Sequence, residues 1–382
     1  NAGVIQRDIL HGEIIGTKQQ FIVNEGQFLM SKIDARNGAF GIVPKELEGA
    51  IVTNDFPAFE VNKEIINAAF LVLITTTKEF VKFAQSCSSG TTNRQRIDIP
   101  SFLNVKIPLP TLEEQNQIVQ ACNTRIIEAK RLEEEAKSLE VGIEEYLFEL
   151  LGIVKLEVKT DVLGLQLLRF KNIDRWDMLA KDLRILNSLS VSKYSLKKLG
   201  DIFSFPKRPW KKDFSKDKTF KYIELGCVDP LIGITESKTV KVNEAPSRAT
   251  QIVKTNDLII GTTRPYLKRF ATVTEKFNLN ICSSGFTIIE SKEIYNLNYL
   301  KEFLMSYYGI EQLKNKMTGA LYPAITESAI KEILIPFPTL TIQNQITEKI
   351  NEMKKLATFN IKQAELFRQL AISEFESKIF MP

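Results

Sequence analysis

The chain has 382 residues, 44% of them hydrophobic, which is too long for one ordinary domain and apolar enough to build two cores. No apolar run approaches the roughly 18 to 20 residues of a membrane-spanning helix, and no signal peptide is evident. Cys87, Cys122, Cys227 and Cys282 lie far apart, without the close pairs of a zinc knuckle or redox motif; buried free thiols and a reducing cytoplasm fit them best. A net charge of +5 decides little, but its distribution does. Between Lys193 and Lys221 ten Lys and Arg face three Asp, a net +7. Between Glu113 and Glu149 ten Glu face four cations, a net −6, so the two stretches suit different partners.

In chain order, short β-branched and aromatic runs come first and predict strands over 20–23, 28–33, 40–43 and 56–61. A helical patch over 65–86 follows, then a Gly-containing loop and the segment Ile107-Pro-Leu-Pro-Thr-Leu-Glu-Glu-Gln-Asn-Gln-Ile118. The prolines force an extended hinge, and Thr111 with Glu114 forms a capping box, so a long helix starts there. Behind it Ile118, Leu132, Leu139 and Tyr146 interlace with Cys122, Ala129, Ala136, Ile143 and Leu150, a coiled-coil spacing interrupted by Arg125. The alternative is an amphipathic helix lying on its own domain.

The order then repeats. Ile335-Pro-Phe-Pro-Thr-Leu-Thr-Ile-Gln-Asn-Gln-Ile346 matches the first hinge at nine of twelve positions with an offset of 228, and weaker matches continue upstream at offsets of 229 and 230. A second helical patch over 297–316 precedes this hinge. Ile346, Met353 and Phe367 then interlace with Ile350, Ala357, Ala364 and Ala371. The chain is thus read as a duplicated α+β unit: a globule over 1–106, a helical region over 107–152, a linker over 153–193, a second globule over 194–334 and a second helical region over 335–382.

The two hinges, the heptad helices and Arg175-Trp176-Asp177 before the second globule resemble specificity subunits of type I restriction-modification systems, over nearly the whole chain. The resemblance implies two target-recognition domains separated by two long antiparallel coiled-coil helices with an internal pseudo-twofold repeat. Each domain would read half of a bipartite site in double-stranded DNA, with the helices as a ruler. It also implies two methyltransferase subunits and restriction-translocase subunits as partners. S-adenosylmethionine, and ATP for restriction, would act in those partners, and this chain would carry no cofactor. One departure stands out: copy one has 22 residues before Val23 where copy two has 59 between Tyr194 and Ile252, so about 37 expected residues are absent and the first domain reads as N-terminally incomplete. A recognition region at the end of a fused restriction-methyltransferase is the rival reading. A coiled-coil scaffold is a third, and leaves the basic stretch unexplained.

No catalytic or metal site is evident. The chain has one histidine, His11, and lacks phosphate-binding glycine loops and the Asn/Asp-Pro-Pro-aromatic tetrad of aminomethyltransferases. Glu157, Lys159 and Asp161 have half-nuclease spacing but read as a charged linker strand. Candidate DNA contacts are better supplied. Lys207, Arg208, Trp210, Lys211 and Lys212 pack cations around an indole, suited to phosphates and stacking. Thr263, Arg264, Tyr266, Lys268 and Arg269, and in copy one Lys32, Asp34, Arg36 and Asn37, form polar loops with the donors and acceptors of base-edge readout. Thr92, Asn93, Arg94 and Arg96 and, opposite them, Tyr322 lie on the Gly-containing loops. Solvated loops and ordinary turns are the competing readings. Gln115, Gln117, Gln343 and Gln345 are identical between copies and, with Leu132, Leu139, Met353 and Phe367, are assigned to the helical spacer and partner docking.

Overall fold

The computed structural model describes residues 3–11, 19–89, 95–154, 179–211, 218–291, 295–319 and 321–380. The first globule runs β1 (Gln20–Ile22), β2 (Phe28–Met30), β3 (Phe40–Ile42), β4 (Ile51–Thr53), β5 (Ala58–Phe59), α1 (Ala68–Thr75), α2 (Lys78–Ser86), β6 (Ser88–Ser89), β7 (Arg96–Ile97) and α3 (Ile99–Leu103). The hinge leads into α4 (Leu112–Leu151) and then α5 (Leu179–Ser190), a helix inside the segment expected as a linker.

The second globule runs β8 (Leu196–Lys198), α6 (Leu199–Ile202), β9 (Thr219–Ile223), β10 (Val228–Asp229), β11 (Gly233–Ile234), β12 (Lys238–Lys241), β13 (Ala249–Ile252), β14 (Leu258–Gly261), β15 (Phe270–Thr272), β16 (Ile281–Ser283), β17 (Phe286–Ile289), α7 (Leu297–Met305), α8 (Tyr307–Asn315), α9 (Glu327–Lys331) and β18 (Leu334–Pro336). The chain closes on α10 (Leu340–Phe380).

The duplication is visible strand by strand. The sheet β3-β2-β5 corresponds to β15-β14-β17, and the antiparallel pair β1–β4 to β13–β16. Ile22 faces Ile51 in the first copy as Ile252 faces Ile281 in the second. In copy two that pair continues through β9, parallel to β16, to β12. Among the described residues β1–β4 is two-stranded, and Phe21, Ile22 and Ile51 on it are exposed. The helical patches each split in two, because Thr77 and Ser306 cap a second helix inside the run.

The chain forms two compact units, Asn1–Glu135 with Phe359–Pro382 and Ala136–Thr358. Unit 1 is built around Phe28, Phe40, Phe70, Phe80 and Phe102, joined by Ile118 and Cys122 of α4 and Phe375 and Ile379 of α10. Unit 2 packs Leu258, Ile260, Leu300, Phe303 and Leu304 with Leu147 and Leu151 of α4 and Ile346 and Ile350 of α10. Ile185 and Leu189 of α5 are buried in the same core.

The two long helices, of 40 and 41 residues, are antiparallel partners. In unit 1 Arg125 pairs with Glu374, Glu133 with Arg368 and Glu135 with Asn360. In unit 2 a Cβ on Gly142 would stand 3.1 Å from Met353 Cε. Buried Ala129, Ala136, Ala357 and Ala364 mark the seam, as the sequence spacing predicts. Arg125, which breaks the heptad row, is satisfied across it by Glu374.

Candidate nucleic-acid interface

In unit 1 the β2–β3 connection forms a one-turn helix over Ala35–Asn37 that ends on Gly38, whose φ of 82° is left-handed. Its exposed Asp34 receives a bond from Asn37 Nδ2 at 3.5 Å, and the Arg36 guanidinium reaches Gln95 Oε1 at 3.0 Å. Lys32 Nζ lies 3.4 Å from Asn54 Oδ1. Arg96 grips Asp55 through two bonds of 2.9 and 3.1 Å. Those bonds, partly opposed by burial and aided by the charges of Arg96 and Lys32, hold the Asp55 carboxyl below its ordinary range. Lys32, Asp34, Arg36, Asn37 and Arg96 therefore share one polar surface. Sequence reasoning overlooked the members that organise it, Asn54, Asp55 and Gln95. The repeat offset was the available signal, since Asn54-Asp55 occupies the turn held by Ser284-Gly285 in copy two. Thr92, Asn93 and Arg94 lie outside the described residues, as do Lys212 and the Glu157–Asp161 stretch.

In unit 2 the corresponding β14–β15 connection is more strained. Arg264 and Lys268 both adopt left-handed backbone, φ 49° and 54°, at the ends of the Pro265–Leu267 turn. Residues 323–325 hold this turn: the Arg264 N–H donates to the Pro323 carbonyl at 2.9 Å, and the Ile325 N–H to the Thr262 carbonyl at 3.0 Å. Arg264 lies over the Tyr322 ring, 5.7 Å from its centroid. Thr263, Arg264, Tyr266, Lys268 and Tyr322 are thus brought together, with the neighbouring Leu321 strongly exposed. Arg269 points elsewhere, its guanidinium bonded to the Leu225 carbonyl.

The basic segment before β9 divides. Lys207 is exposed and pairs with Glu327 at the start of α9. Burial opposes charge on Glu327, yet the bonds from Lys207 and Lys331 keep its carboxyl below the usual range. Arg208 is drawn inward instead, bridging Glu290 and an Asp257 that is only 2% exposed. Its guanidinium is committed to the fold. Trp210 is half-buried, its ring 4.3 Å from that of Phe220, and Lys211 is exposed.

On the long helices Gln117 and Gln345 are exposed, Leu132 is buried, and Leu139, Met353 and Phe367 are half-buried. Gln115 and Gln343 are fully buried and belong to the attachment of each globule to its helix, not to a surface. Cys122, Cys227 and Cys282 are buried and Cys87 half-buried, all four as free thiols. Among the described residues no group of acids, His or Cys could hold a metal, and no helix is long and apolar enough to cross a membrane.

Two repeated α+β globules, each with a polar loop surface and each fastened to a pair of long antiparallel helices, define the architecture of a restriction-system specificity subunit. The family model for the type I restriction modification DNA specificity domain matches residues 1–138 and 192–366, so the chain belongs to that family. The specificity subunit of the type I restriction enzyme HindI from Haemophilus influenzae is 29% identical over 113 residues, covering 28% of this chain. The match spans 25% of that relative's length. The S subunit of a type I restriction-modification system from M. genitalium is similar in fold, with a TM-score of 0.51 at 12% identity, over 96% of this chain and 91% of that one. A chain from a type I R-M system, solved to explain complex assembly and conformational transition, gives 0.57 at 17% identity, over 93% and 82%.

Proposed function

We propose that this chain reads a bipartite, asymmetric site in double-stranded DNA, one half-site per globule, and that it does so without catalytic chemistry of its own. The observation carrying this reading is a repeated frame with unlike side chains. Lys32, Asp34, Arg36 and Asn37 stand where copy two has Thr262, Arg264, Tyr266 and Leu267. Arg suits guanine, Asn suits adenine and Asp accepts from cytosine, so unlike residues on one backbone suit two different half-sites. Exposed Arg264, Lys211 and Lys207 supply the salt-dependent phosphate component.

The long helices serve as the platform for methyltransferase subunits, which bring S-adenosylmethionine, and for restriction-translocase subunits, which bring ATP. Ile127, Phe359 and Leu366 in unit 1, and Val141 and Leu356 in unit 2, are apolar helix residues left exposed, and they favour protein partners there. Selection from a random duplex pool, with a methyltransferase subunit encoded beside this chain, tests the reading. Two short motifs at a fixed gap are expected; one contiguous motif, or no enrichment, defeats it.

A further inference from the structure

Thr318 and Ala324 close a hairpin by exchanging backbone N–H bonds of 2.8 and 2.9 Å, and Thr263, just past β14, bridges to Ala324. Gly319 turns the chain at φ 92°, where a Cβ would stand 3.2 Å from the Tyr322 carbonyl oxygen. The tip carries Leu321 and Tyr322, 83% and 75% exposed, the two most exposed large apolar side chains described in unit 2. An isolated surface leucine is ordinary, but an adjacent exposed pair on a pinned hairpin marks a contact.

Arg264 indicates which kind. Its guanidinium lies 5.7 Å from the Tyr322 ring centroid, and among the described residues no carboxylate pairs with it. Seating this tip on an apolar protein surface would take that charge out of water without a counter-charge, which is costly. A duplex offers both halves of what the tip needs: an apolar stack of bases, and phosphates alongside for the guanidinium.

The copies differ at this point. By the offset of 229 from Gly90 to Gly319, Thr92 and Asn93 occupy the sequence positions of Leu321 and Tyr322. A hydroxyl and an amide suit base edges, whereas a leucine has no hydrogen bond to offer. It contacts a duplex through a thymine methyl or by entering the stack. The pinned hairpin resists being pushed back, which entry requires and a methyl contact does not.

We propose that Leu321, backed by Tyr322, is a wedge that enters the duplex between two adjacent base pairs of the second globule's half-site, with Arg264 on a flanking phosphate. Entry unstacks that step, so the sites chosen are those whose step opens easily, a pyrimidine followed by a purine. The inference rests on the DNA-reading function and adds to it a position recognised by deformability, without a hydrogen bond to the bases, in one half-site only.

The test binds the full chain, with the methyltransferase subunit encoded beside it, to its selected duplex at saturation. The fluorescent base aminopurine, which brightens on unstacking, is placed at each half-site position in turn. Wild type should brighten it at one step that Leu321→Ala leaves dark, whereas a base extruded by the methyltransferase brightens with both chains. Leu321→Ala should also weaken binding about ten-fold at an unchanged melting temperature, and Leu321→Met should restore both signals. Replacing the step by a stiff adenine run should cost wild type about ten-fold and Leu321→Ala under about two-fold. Brightening that persists throughout in L321A, or equal losses by both chains on the stiffened step, overturns the wedge. If the duplex binds with no probe brightened, this inference alone falls. If wild type binds no duplex, the DNA-reading function falls with it.

Discussion

Gln115 Oε1 accepts the backbone N–H of Asn67 at 2.8 Å, and the same relationship recurs between Gln343 and Asn296 at 3.0 Å. Each glutamine also donates to a hinge carbonyl, Pro110 at 2.8 Å or Pro338 at 2.9 Å. Each asparagine caps the first helix of the patch and reaches the next helix residue, Asn116 or Asn344. One side chain thus ties globule, hinge and long helix together at a point closed to water. Replacing Gln115 or Gln343 by Leu leaves several backbone groups unpaired and should lower unfolding stability by about 2–4 kcal/mol, read as a lower urea midpoint. A loss below about 0.5 kcal/mol contradicts this role.

The copies differ where α7 meets α10. Lys354 Nζ bonds Glu302 at 2.6 Å, both side chains nearly closed to solvent, with Lys301 Nζ 3.3 Å away. The positions equivalent by the repeat are Leu73 and Ile126. Lys354→Met alone should destabilise by about 1–3 kcal/mol, because it leaves the buried Glu302 carboxylate with Lys301 as its remaining cation and one oxygen without its bond. The double change Glu302→Leu with Lys354→Ile should be neutral or stabilising, and thermal unfolding of the three chains decides.

Arg208 and Lys211 lie three residues apart and should behave oppositely. Arg208→Ala uncovers the buried Asp257 and should cost about 3–5 kcal/mol of stability. Lys211→Glu should leave the melting temperature nearly unchanged and weaken DNA binding, with a log–log salt slope shallower by about one. An unaltered slope removes Lys211 from the phosphate contacts.

The thiols offer a check on both cores. Cys282 is fully buried, and burial pushes its thiol up to about 12. Under native conditions a disulfide reagent should modify Cys87 first, with Cys122, Cys227 and Cys282 reacting only on unfolding. The pH dependence follows: from the ordinary thiol value of 9.0 upward the unfolded chain ionises Cys282 before the folded one does, so its stability contribution is complete below 9.0 and lost as pH rises towards 12. Cys282→Ala should flatten that part of the stability profile.

The duplication, the hinges, the capping box and the heptad seam were legible because each rests on local or periodic chemistry. Thr111 and Glu114 bond reciprocally as their spacing predicts, and the seam alanines are buried. Covalent spacing alone determines which residues share a helix face, and an offset of 228 between hinges needs no coordinates. Tertiary structure decided which polar groups face water. Arg208 and Lys211 are both cations of one basic run, yet a carboxylate distant in sequence draws one inward and leaves the other exposed. Gln115 and Gln117 are equally polar, and only the approach of Asn67 buries the first. Desolvation and pairing across the fold set those fates, and neither is written in the order of the residues.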